Sequence, residues 1–130
     1  MKTGKEVRRM KETQRDQVLT TLIVNQIMSN PLTGESGSSR LKQVALVMVI
    51  YVFLHGGEDQ VGLSDLIKVT GLTRGGIIET IEPLVRRGLL VETMGKNSMG
   101  RGTARYFEIA SSVKTIVAAV SGAPMGAGLE

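Results

Sequence analysis

The chain has 130 residues, 42% of them hydrophobic, and 16 Lys and Arg against 12 Asp and Glu give a net charge of +4. That is apolar mass for one core in one domain, and too small a charge to name a partner by itself. Cysteine is absent, which excludes disulfides, thiolate zinc sites and cysteine nucleophiles. Tyr51, Phe53, Tyr106 and Phe107 are the aromatic residues, so the core must be built from Leu, Ile, Val and Met.

The N-terminus is charged (Lys2, Lys5, Glu6, Arg8, Arg9) and has no apolar stretch of the secretory kind behind it, which points to a soluble, cytoplasmic protein. Residues from about Lys5 to Asn30 read as one helix, with Val18, Leu22, Ile23 and Ile27 at helical spacing and Pro31 as its stop. Residues 31–40 contain Thr33-Gly-Glu-Ser-Gly-Ser-Ser39 and read as a flexible linker. From Leu41 to His55 the sequence is apolar on every face. Its core, Val44 to Leu54, is well short of the roughly 20 residues of a bilayer span, so it reads as a buried helix covered on most sides, by the two helices that follow it on one and by the terminal helices or a second subunit on the other.

Val61-Gly-Leu63 reads as a very short strand. Ser64 is then a candidate N-cap, with Asp65 in the first turn, for a helix carrying Leu66, Ile67 and Val69 and closed by Gly71. Thr73 is the next candidate N-cap, opening a helix with an inward stripe of Ile77, Ile81, Leu84 and Val85 and a stop at Gly88. Two helices joined by a short turn containing Gly form a helix-turn-helix signature. Leu89 to Met94 and Thr103 to Ile109 read as strands around a glycine-rich loop, and Ser111 or Ser112 caps a last helix, Val113 to Val120.

The expected fold class is therefore mainly α with a small β hairpin, an α+β winged helix-turn-helix with extra N- and C-terminal helices. Its parts are an N-terminal helix over 1–30, the linker over 31–40, a DNA-binding unit over 41–110, a C-terminal helix over 111–121 and a disordered tail over 122–130.

On the second helix of the pair, Arg74, Gly75, Gly76, Ile78, Glu79 and Pro83 fall opposite the apolar stripe, on the side that would enter a major groove. Arg74 can offer its planar fork to a guanine, or touch only a phosphate. Gly75-Gly76 either let the backbone approach DNA or mark a frayed helix start. Ile78 suits a thymine methyl or packs against the hairpin. Pro83 inside the helix predicts a kink or a split into two helices. In the hairpin loop, Lys96, Asn97, Ser98 and Arg101 are candidate contacts, Arg101 flanked by glycines for a narrow minor groove, and Arg105 joins Lys96 on the phosphates. Between positions 86 and 105, Arg86, Arg87, Lys96, Arg101 and Arg105 face only Glu92, which places a positive field there.

The sequence speaks against an enzyme and against a metal or cofactor. Gly95 to Gly102 lacks a phosphate-loop ending, His55 is the single histidine, and no carboxylate pair sits in an apolar pattern. A winged helix used as a protein-interaction or assembly module is the competing reading.

The stretch Leu63 to Leu90 resembles the winged-helix regulators of the MarR type, through Leu66, Gly71-Leu72, Ile77, Leu84 and Gly88-Leu89-Leu90. Gly100-Arg101-Gly102 stands where that family carries an Asp-x-Arg wing, and Pro83 where it has a charged residue. The resemblance implies a homodimer joined through the N- and C-terminal helices, with Leu19, Leu22, Ile23, Ile27, Ile116, Val117 and Val120 as the surplus apolar residues. It implies double-stranded DNA as partner, read at half-sites about 34 Å apart. It also leaves room for a small-molecule effector, which no residue specifies.

Overall fold

The structure is a computed structural model describing residues 3–55, 60–96, 100 and 102–122. Helix α1 runs over Gly4–Met28. The Thr3 hydroxyl accepts from the Glu6 N–H at 3.1 Å while the Thr3 N–H donates to Glu6 Oε2 at 3.2 Å, a reciprocal cap that fixes its start. Helix α2 covers Gly37–His55, so the last residues of the expected linker are already helical. The rest of that stretch is folded too. Glu35 and Leu32 exchange hydrogen bonds through backbone and side chain, and the Ser36 hydroxyl accepts from the Ser39 N–H.

Gln43, Leu46, Val47, Ile50 and Tyr51 of α2 are buried. Helix α1 lies along one side, joined by an Arg15 Nε donor to the Tyr51 hydroxyl at 3.1 Å and by the Tyr51 hydroxyl donating to Asp16. Burial and the Asp16 hydrogen bond push the Tyr51 phenol well above its ordinary range. Within the single chain Leu41, Ala45 and Val52 remain exposed.

Strand β1 is Val61–Gly62, and α3 follows at once over Leu63–Thr70. The N-cap of α3 is Gly62, without a side-chain bond, so Ser64 lies inside the first turn and does not cap it. Gly71, at φ 72°, ends α3 in the left-handed conformation that a Cβ disfavours. Helix α4 spans Arg74–Arg86 behind the expected cap, with Thr73 Oγ1 accepting from the Gly76 N–H at 3.0 Å. It closes through Gly88 at φ 77°, with Gly88 N–H to Val85 O and Leu89 N–H to Leu84 O, both 3.0 Å, and with Leu84 and Leu89 buried.

Strands β2 (Leu90–Lys96) and β3 (Thr103–Ile109) form the hairpin, and β3 sits between β1 and β2 in an antiparallel sheet. Helix α5 covers Ser111–Ser121 with Ala110 as N-cap, in place of either expected serine.

This order, a helix-turn-helix followed by a hairpin that pairs with a short strand before the first of the two helices, is that of a winged helix. It belongs to the α+β class, as expected. One core unites Leu19, Ile23 and Ile27 of α1 with α2, α3, α4, the sheet, and Val113 and Val117 of α5. Among the described residues no helix is long and apolar enough to cross a membrane.

Candidate nucleic-acid interface

The two ends of α4 are held in different ways. At its start, the Thr73 cap leaves Arg74 and Gly75 exposed, and nothing lies within 4 Å of where a Gly75 Cβ would stand. A Cβ on half-buried Gly76 would come within 3.2 Å of Thr73 Oγ1, so glycine there protects the cap. The Thr80 hydroxyl donates back to Gly76 O at 2.9 Å, which orders the same turn.

Along the helix, Ile77, Thr80, Ile81, Pro83 and Leu84 are buried. Pro83 therefore faces the core, contrary to its expected place on the outer face, and Val85, at 39% exposure, leaves the expected inward stripe. The helix is not divided at Pro83, for its last turn continues with the Arg87 N–H bonded to Pro83 O at 2.8 Å. The outer face thus carries Arg74, Gly75, Glu79, Glu82, Val85 and Arg86. Half-buried Ile78 packs against the core and, with Ile81 and Val85, lines a groove of about 340 Å³ whose far wall is Glu92 and Arg105 of the hairpin.

At the other end, Arg87 turns inward. Its guanidinium donates to Glu35 Oε1 at 2.7 Å and Oε2 at 2.9 Å, to Gln43 Oε1 at 2.7 Å, and to the carbonyls of Asn30 at 2.8 Å and Ile27 at 3.3 Å. Both side chains of the ion pair are nearly inaccessible, Arg87 at 5% and Glu35 at 6%. The Arg87 hydrogen bonds, against the opposing cost of burial, hold the Glu35 carboxyl at about 2. Arg87 is thus a strut between α4, α1, α2 and the loop between them, and it adds nothing to an outward field.

The other expected cations divide in the same way. Arg86 pairs with Glu82 at 3.1 Å on the exposed face of α4. Arg105, expected on a phosphate, is held by Glu92 through Nε–Oε2 at 2.6 Å and Nη2–Oε1 at 2.8 Å. These bonds lower the Glu92 carboxyl below its ordinary value. Partners from outside the counted window, Glu35 and Glu82, are what a local count of charge missed. Arg74 and Lys96 remain exposed and without an ion pair among the described residues. Glu79 and Ser64 are exposed as well. The contacts expected of Asn97, Ser98 and Arg101 lie outside the described residues.

Tyr106 is a site-shaping residue that the sequence reading passed over. Its hydroxyl donates to Lys96 O at 2.8 Å, and its ring lies where a Cβ on Gly95 would be 3.0 Å away and one on Gly62 3.3 Å away. The ring thus bridges the strand that leads into α3 and the outer strand of the hairpin, and it sets the backbone at Lys96. Glycines in two strands near one aromatic were the available signal.

No protein-family model and no curated protein matches this sequence. Among solved structures, the chain is similar to a possible transcriptional regulator from Methanosarcina mazei, at 13% identity over 82% of this chain and 76% of that one, with a TM-score of 0.46. It is similar to the oxidised form of MarR from E. coli, at 12% identity over 94% and 76% of the two chains, TM-score 0.46. A third is the adhesin competence repressor AdcR from Streptococcus pyogenes, at 18% identity over 85% and 71%, TM-score 0.41.

Proposed function

We propose that this chain is a sequence-specific, double-stranded DNA-binding regulator of the repressor kind, acting in the cytoplasm as a homodimer. In this reading the amino-terminal turn of α4 enters the major groove and the hairpin lies over the neighbouring minor groove. The observation that carries it is the disposition of unpaired charge. The winged helix presents Arg74 at the open start of α4 and Lys96 on the hairpin, both exposed and free of carboxylates among the described residues. Arg74 then reads a base, Gly75 admits the phosphate backbone to the helix N-terminus, and Lys96 adds a contact independent of sequence. Asn97, Ser98 and Arg101 belong to the same hairpin loop and complete the minor-groove contact in this proposal.

The dimer rests on less surface than the sequence suggested, because Leu19, Ile23, Ile27 and Val117 are spent on the chain's own core. Ile116 at 49% and Val120 at 67% exposure remain on α5, and they are the residues through which a second copy would join.

Selection from a pool of random duplexes at low salt is the test. Enrichment of one motif, with affinity falling steeply as salt rises, is expected. The second reading, a protein-interaction or assembly module, draws on the arginines neutralised by Glu82, Glu35 and Glu92. A pool that emerges unenriched and unretained favours it.

A further inference from the structure

The register of the hairpin sets Glu92 opposite Phe107 and Met94 opposite Arg105, so Glu92 and Arg105 are diagonal neighbours on one face of the sheet. On that face the Arg105 guanidinium stands 5.8 Å from the Phe107 ring centroid, and both members of its ion pair are 27% exposed. A carboxylate bound through two parallel N–H···O bonds occupies the same fork that a phosphate would occupy. A DNA phosphate reaching the edge of the groove beside α4 would therefore have to displace Glu92 from this guanidinium.

We propose that Glu92 sets the affinity of this surface: by filling the fork of Arg105 it withholds that cation from the DNA backbone, keeps sequence-independent binding weak, and leaves the interaction to Arg74 and Lys96. The proposal rests on the DNA-binding reading above and adds a restraint to it. A surface that reads sequence gains from such a restraint, because each phosphate contact strengthens binding to every duplex alike.

The test is the salt dependence of binding to a random-sequence duplex, measured on the full chain. Glu92→Gln keeps an oxygen acceptor for Arg105 but removes the charge. It is expected to bind several-fold more tightly at low salt, with a log K against log salt slope steeper by about 0.9, the increment for one added phosphate contact. Adding Arg105→Gln to that variant should return the slope to that of the wild type. Glu108→Gln makes the same change of charge on the opposite face of β3 and should leave the slope alone.

If Glu92→Gln loses its cooperative melt, Arg105→Gln alone decides. An unchanged slope supports the proposal, and a slope shallower by about 0.9 overturns it. Wild-type binding with Glu92→Gln unchanged or weaker overturns this proposal only. A wild type that binds no duplex at low salt removes the DNA-binding reading and this restraint with it.

Discussion

At the scale of single residues, Gly75 is where helix stability and the proposed DNA contact can be tested apart. Space around its Cβ position is open in the free chain, and alanine is favoured over glycine in helices by up to about 1 kcal/mol. Gly75→Ala should therefore melt at or above the wild-type temperature, yet bind DNA more weakly if the α4 backbone meets a phosphate there. Thermal melting and a DNA titration on the same sample check both halves, and a variant that gains stability with unchanged affinity removes Gly75 from the interface. Thr73 as N-cap and Arg74 as an outward cation were legible because capping and helix phase are local rules. The fates of Arg87 and Arg105 were not, since Glu35 is distant in sequence and the Glu92 pairing depends on hairpin register.

Among the elements, α4 shows best how local rules gave way to packing. Pro83 removes one backbone donor, but it is buried and its own carbonyl receives the Arg87 N–H, so of the expected kink or split the split does not occur and one helix runs through. The carboxy-terminal end of α4 is anchored by the Arg87–Glu35 pair. Glu35 has its folded value held at about 2 against an ordinary 4.5, so its contribution to stability is complete above about 4.5 and is lost as pH falls through about 2. Glu35→Gln should cost about 3 kcal/mol at neutral pH, the usual penalty for stranding one partner of a buried pair. That gap to the wild type should narrow below about pH 4.5, as denaturant melts at a series of pH values would show. A gap independent of pH would mean that the Glu35 charge does not hold α4. Residues 31–40 depart from the expected flexible linker for a related reason. Small polar residues mark turns in sequence, but here they bring Glu35 onto Arg87, which composition does not encode.

For the whole molecule, the order of helices and strands was legible because hydrophobic period, caps and glycine stops agree along the chain. The division of apolar surface between the core and a partner was not, because periodicity marks a buried face without saying what buries it. With Leu19, Ile23, Ile27 and Val117 inside the chain's own core, the proposed homodimer would join through Ile116 and Val120, which are exposed on α5. Sedimentation at micromolar concentration is expected to give the mass of two chains, and Ile116→Glu with Val120→Glu to give one. A wild type sedimenting as one chain would end the dimer proposal while leaving the reading surface untouched. That surface is tested most directly by the ratio of affinities for a duplex enriched from a random pool and for an unrelated duplex, measured at one salt concentration for the wild type and Arg74→Ala. A clear preference is expected in the wild type, and Arg74→Ala should reduce it by the equivalent of about 1 to 3 kcal/mol; equal affinity for the two duplexes, or a preference that survives Arg74→Ala intact, would rule out base reading by Arg74.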